Sequence, residues 1–203
     1  MTYRDRAEAG EALATALVDE RDLVVLGLVR GGVPVAAAVA ERLGAPLDAL
    51  VVRKLGVPWA PEVAFGALGP GGVLILNEEI ASRLSVSDVD AVVAAETAEL
   101  ARREARYRGD RPPVNLAGRT AVVVDDGLAT GATARAAVAV ARLLGASRVV
   151  VAVPVGAPEA VALLAAEADR VVCPVAPAEF GAVSRFYEDF RQVDDRTVSA
   201  LLS

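Results

Sequence analysis

The 203-residue sequence contains no histidine and only one cysteine. Each shortage closes off chemistry. Without histidine there is no His-based triad, no Cys-His nucleophile pair and no Cys/His zinc site. Cys173 alone makes neither a disulfide within the chain nor a CxxC redox pair. Catalysis, if present, draws on carboxylates, hydroxyls, backbone amides, arginine and a single lysine, Lys54. Aromatic residues number eight. Apolar runs are short, each broken by Gly, Pro or charge, so no membrane-spanning helix is expected. The opening Met1-Thr2-Tyr3-Arg4-Asp5-Arg6 lacks the apolar region of a signal peptide. The expectation is a cytoplasmic protein.

What is present fits a folded chain. Hydrophobic residues make up 54% and charged residues 24%, a globular balance. The length suits one domain over 1–203. The net charge is −6, and no basic run offsets it. Duplex binding is therefore disfavoured, and small molecules are the expected partners. Lys54 stands against 20 arginines. The two cations differ in geometry and hydration, so this lone lysine marks a position of interest.

Hydrophobic periodicity alternates along the chain. Strands are predicted at Leu23–Val29, Leu47–Arg53, Val63–Leu68, Val73–Leu76, Arg119–Val124, Arg148–Val153 and Val171–Val175. Helices are predicted at Ala7–Asp19, from Pro34 to Leu43, and at Ser87–Arg108, Ala132–Leu144 and Pro158–Glu167. Residues 54–62, with Gly56, Pro58 and Pro61, read as a loop. The charges of Ser87–Arg108 read as a solvated face. This is an α/β pattern with a mainly parallel twisted sheet flanked by helices. A helical insertion falls at about 77–110 and a small C-terminal hood or tail at about 176–203. Such sheets bind ligands beyond the carboxyl ends of their strands.

The most informative segment runs from Ala121 to Thr133, AVVVDDGLATGAT. A buried strand delivers Asp125 and Asp126, and a small-residue loop then enters a helix. Ala129, Thr130, Gly131, Ala132 and Thr133 set backbone N–H groups and two hydroxyls at that helix start, an anion site. Carboxylates beside it accept hydrogen bonds from hydroxyls or hold a cation. Together they describe a sugar phosphate. Rival nucleotide motifs fit less well. No G-x-x-x-x-G-K-[ST] exists, and Gly27-Leu28-Val29-Arg30-Gly31-Gly32 lacks the G-x-G-x-x-G spacing.

The unit VVVDDGLATGAT resembles the PRPP-binding signature of type I phosphoribosyltransferases. Arg30-Gly31-Gly32 sits where that family places its pyrophosphate loop. Val52-Arg53-Lys54-Leu55-Gly56-Val57-Pro58 resembles adenine-type members ahead of their mobile loop. The opening residues and the tail Phe180–Asp195 are similar to a bacterial subgroup. The resemblance implies transfer of a phosphoribosyl group from PRPP, with Mg²⁺, to a nitrogenous base in a homodimeric enzyme. It places the 5′-phosphate on Ala129–Thr133 and the ribose diol on Asp125 and Asp126. It places pyrophosphate on Arg30, Gly31 and Gly32, within reach of Arg53 and Lys54, with Asp125 and Asp126 as possible metal ligands. Ala129 stands where 6-oxopurine members carry an aspartate, which disfavours that acceptor. The alternative is a non-catalytic PRPP or nucleotide-binding regulator on the same fold. Phe180, Phe186, Tyr187 and Phe190 form an aromatic cluster. It reads first as a segment docked on the core, and second as a hood that stacks on the base through Phe186 and Tyr187. Trp59 reads as packed at the base of its loop rather than as part of a lid.

Overall fold

The computed structural model describes residues 2–203. In chain order the elements are α1 (Arg6–Thr15), β1 (Leu23–Leu28), α2 (Gly32–Leu43), β2 (Leu47–Leu50), β3 (Arg53–Val57), β4 (Ala60–Gly69) and β5 (Val73–Leu76). There follow α3 (Glu78–Ala81), α4 (Val86–Arg108), β6 (Thr120–Val124), α5 (Ala132–Leu143), β7 (Arg148–Ala152), α6 (Pro158–Ala165), β8 (Arg170–Val172) and α7 (Asp195–Leu201).

Every position of β1 and β6 is buried, which only apolar residues on both faces allow. The five strands β2-β1-β6-β7-β8 form one sheet, and every pair in it is parallel. Alternate residues serve opposite faces, as the two-residue period requires. Leu26, Val123 and Val151 pack with Ala137, Val138 and Leu164 of α5 and α6. Val25, Val122 and Val150 pack with Leu13, Val35 and Val39 of α1 and α2. No helix among the described residues is long and apolar enough to cross a membrane.

The structure corrects three expectations. The predicted strand Leu47–Arg53 is divided, because β2 ends at Leu50 and Arg53 opens a second sheet. Residues 54–62 are not a loop: β3 and β4 pair as an antiparallel hairpin, and β5 completes a three-stranded sheet. Gly56, Pro58 and Pro61 are real punctuation, but they mark a tight, irregular hairpin end. The pairing register shifts on either side of Gly56, the signature of a bulge. Trp59 is not packed down; it is 69% exposed at the hairpin turn.

The hairpin is anchored from its inner face. Leu55, Phe65 and Leu68 are buried in a cluster with Leu100 and Tyr107 of α4. Phe65 is fully buried, so Phe65→Ala should cost about 3–5 kcal/mol. Urea unfolding checks this. A loss below about 1 kcal/mol would mean that the hairpin is not docked as described.

Candidate active site

The chain leaves the middle of the large sheet in two directions. From β1 it steps to β2, and from β6 it steps outward to β7 and β8. The crevice beyond the carboxyl ends of β1 and β6 is therefore the topological switch point, the preferred ligand position in such sheets. The loops that open there are Arg30–Gly32 and Asp125–Gly131.

The second loop ends in an anion-binding geometry. Gly131 has φ 78°, the left-handed region, and is the N-cap of α5. A glycine adopts this without strain. It offers no side chain to cap the helix; the Ala132 N–H reaches Thr130 Oγ1 only at 3.5 Å, and the N–H groups of the next two residues are left for a ligand. Ala129, Thr130, Ala132 and Thr133 are exposed. A cavity of about 180 Å³ lies over residues 127–134, with Asp125 at its edge.

The two loops touch through the carboxylates. A Cβ on Gly31 would overlap the Asp126 carboxylate, and one on Gly32 would overlap the Val124 carbonyl and crowd Asp125. Glycine is required at both positions because of this close approach. Asp125 Oδ1 accepts the Asp126 backbone N–H at 2.9 Å. Burial, and then the charge of Asp126, push the Asp125 carboxyl well above its ordinary range. Burial raises Asp126 too, against the hydrogen bond and charge of Arg6.

Arg6 is the functional neighbour that the sequence did not reveal. Its Nε donates to Asp126 Oδ2 at 2.9 Å, and Nη2 lies 2.8 Å from the same oxygen. The guanidinium sits 4.1 Å from the Phe190 ring centroid and donates to the Arg191 carbonyl at 2.9 Å. Asp5 caps α1 by accepting the Glu8 N–H, which fixes where Arg6 begins the helix. The preceding residues pair with the C-terminal segment: Tyr3 N–H donates to the Phe186 carbonyl, and Glu188 N–H to the Tyr3 carbonyl, both at 2.8 Å.

This arrangement favours the docked reading of Phe186 and Tyr187 over the alternative of a hood that stacks on a base. Phe186 stacks on Phe180 at 5.6 Å. Tyr187 is buried, lies against Tyr3 and Phe190, and donates its hydroxyl to the Asp126 carbonyl at 2.6 Å. Burial raises its phenol. The rings are spent on docking the C-terminal segment, the first of the two readings of that cluster.

The expected cations divide between two flanks. Arg30 follows β1, with its Nη1 4.0 Å from Asp195 of α7. Arg53 Nε donates to Glu96 of α4 at 2.6 Å. Lys54 is exposed, donates to the Glu62 carbonyl at 3.4 Å, and shares a cavity of about 350 Å³ with Ala132 and Thr133. Arg53 and Lys54, both expected beside the Arg30 loop, face opposite sides as strand neighbours do: Arg53 meets α4, and Lys54 lines a cavity that does not include Arg30.

An open parallel sheet with its working loops at the switch point defines an α/β protein of the doubly wound kind. The chain belongs to the phosphoribosyl transferase domain family, whose model matches residues 4–191. Two Mycobacterium tuberculosis proteins that carry a provisional phosphoribosyl transferase name are 52% identical over 204 residues. Those matches cover 98% of this chain and 46% of each relative, so the chain spans about half the length of the curated relatives it matches. A solved structure from Thermus thermophilus is 47% identical with a TM-score of 0.92, covering 100% of this chain and 98% of that one. A purine phosphoribosyltransferase from Pyrococcus horikoshii shares the fold, with a TM-score of 0.53 at 18% identity over 95% of this chain and 97% of its own.

A raised carboxyl pKa has a direct consequence for the ligand-free protein. The stability linked to Asp125 is fully present below the unfolded carboxylate pKa of about 4 and is lost as pH rises through the raised folded value. Asp125→Asn removes that loss. The variant should melt about 2–4 °C above the wild type near pH 8, the equivalent of about 1 kcal/mol. The gap should narrow towards pH 5. Calorimetric melting across this range checks it, and a variant less stable at pH 8 would contradict the assignment.

Proposed function

We propose that the protein transfers the phosphoribosyl group of PRPP to a nitrogenous base and releases pyrophosphate. One observation carries the reading: Gly31 and Gly32 abut Asp126 and Asp125, which in turn lead into the anion loop capped by Gly131. A phosphate cradle, two hydroxyl acceptors and a glycine-lined cationic loop thus meet along one crevice.

In this reading the 5′-phosphate takes the N–H groups at the start of α5. The ribose 2′- and 3′-hydroxyls donate to Asp125 and Asp126, and those hydrogen bonds favour the ionised acids. The diphosphate lies along Arg30-Gly31-Gly32. A lone pair on the base nitrogen forms the new bond at C1′. The C1′–O bond to the diphosphate breaks and carries its electron pair away with the leaving group. Positive charge grows on the ribosyl centre, near the carboxylates, while negative charge grows on the diphosphate, near Arg30. Lys54 belongs with the 5′-phosphate flank through its cavity with Ala132 and Thr133, and Arg53 with the α4 flank.

Magnesium fits as a companion of the substrate. No group of three His, Cys, Asp or Glu side chains that could hold a metal occurs among the described residues, and Asp126 is engaged by Arg6. Mg²⁺ is commonly held by one or two carboxylates plus substrate phosphates, with Asp125 as the nearby carboxylate. It would supply charge neutralisation on the leaving diphosphate.

The test is titration of Mg²⁺–PRPP. Asp125→Asn and Asp126→Asn should each weaken binding at least about tenfold, a loss of about 1.4 kcal/mol. Inorganic phosphate should bind all three proteins within about twofold, because its site is the helix start. Equal PRPP affinity in all three would sink the diol assignment. A nucleobase panel should give pyrophosphate release with at least one base. PRPP binding without release from any base would favour the regulatory reading.

A further inference from the structure

The charged face of α4 is not uniformly solvated. A cavity of about 450 Å³ opens beside Arg30, lined also by Val29, Arg102, Arg103, Tyr107 and Asp195. Arg30 is also part of the wall of the crevice that holds Gly31 and Asp126, so the two spaces adjoin.

The lining is cationic, and two of its arginines are anchored on one carboxylate. Glu99 accepts from Arg102 through Nε at 2.7 Å and Nη2 at 2.9 Å, and from Arg103 through Nε alone at 2.7 Å. The hydrogen bonds from these two arginines hold the Glu99 carboxyl down at about 2, so the lock persists across the working pH range. Neither Nη of Arg103 has an acceptor among the described residues, and Arg30 donates no hydrogen bond to any of them. Asp195, the one carboxylate in the lining, is already answered. The Tyr107 hydroxyl donates to it at 2.6 Å and Arg106 Nε pairs with it at 3.1 Å. Four guanidinium groups, Arg30, Arg102, Arg103 and Arg106, thus stand against two carboxylates, Glu99 and Asp195. The surplus is two positive charges, with open donor edges on Arg30 and Arg103. Planar guanidinium forks of this kind match phosphoryl oxygens.

We propose that Arg103, carried by the α4 insertion, is a further diphosphate-contacting residue on the leaving-group side of the crevice. The proposal rests on reading Arg30-Gly31-Gly32 as the leaving-group side of the crevice. The same chemistry is offered by the diphosphate of PRPP and by free inorganic pyrophosphate. Arg103 meets it from outside the β1 loop, so the insertion forms a second wall of the leaving-group space.

Isothermal titration of the whole protein tests this, with inorganic pyrophosphate, PRPP and ribose 5-phosphate as separate titrants. Arg103→Gln should weaken pyrophosphate about tenfold, as expected for a lost charge-assisted contact. Ribose 5-phosphate, which carries no diphosphate, should change by less than about twofold. Arg83→Gln removes an exposed charge paired, among the described residues, only with Glu79 and should leave all three affinities unchanged, which separates local contact from net charge. An equal loss for PRPP assigns the site to the ester-linked group, whereas a loss for pyrophosphate alone assigns it to the product. Wild-type affinity for pyrophosphate in Arg103→Gln overturns the proposal, as does a wild type that binds ribose 5-phosphate but not pyrophosphate. Failure of the wild type to bind ribose 5-phosphate counts against the phosphoribosyl reading instead.

Discussion

Two carboxylates at the end of a buried strand repel each other and resist leaving water. Asp125 and Asp126 occupy that position, and much of the site is arranged around their charge. Glycines at 31 and 32 let the neighbouring loop come against them. Arg6 neutralises one of the pair, and Tyr187 ties down the backbone between them and the anion loop. Holding Arg6 there takes two segments far apart in sequence, because Tyr3 and Arg4 pair with residues 186–189. The residual misfit at Asp125 is what the proposed sugar hydroxyls relieve. Asp125, which among the described residues accepts only the Asp126 N–H, is the member of the pair poised for a ligand that donates hydrogen bonds.

The second organising feature is division by flank. Residues 53 and 54 are neighbours in sequence, yet β3 sends them to opposite sides. Arg53 is held on α4 through Glu96, and Lys54 stands beside the start of α5. The hairpin is also firm at its root, where Phe65 and Leu55 are buried, and exposed at its tip, where Trp59 lies. The two cations of β3 thus stand on opposite flanks of a hairpin whose root is buried.

Much of this was legible from the residues. The runs LVVLGL and TAVVV announce strands buried on both faces, and the small-residue loop into Ala132 announces an anion site. Family resemblance supplied the phosphoribosyltransferase reading, which the family model over residues 4–191 supports. The hairpin at 53–69 was hidden because glycine and proline at 56, 58 and 61 give the same local signal in a bulged hairpin as in a loop. Arg6 was invisible for another reason: it meets Asp126 across 120 positions of sequence, and nothing local distinguishes it from other surface arginines. The same holds for Arg30 and Asp195, and for the turning of Arg103 towards a cavity. Such contacts are created by the packing of α1, α4 and α7, which periodicity alone cannot register.

The central claim is that one crevice holds a phosphoribosyl group with its phosphate at the start of α5 and its diol on the acid pair. A crystal structure with ribose 5-phosphate tests it most directly. The account predicts phosphate oxygens within about 3 Å of the backbone N–H groups of residues 130–133 and the 2′- and 3′-hydroxyls within about 3 Å of the Asp125 and Asp126 carboxylates. A sugar turned away from both carboxylates, or a phosphate bound elsewhere, would contradict it.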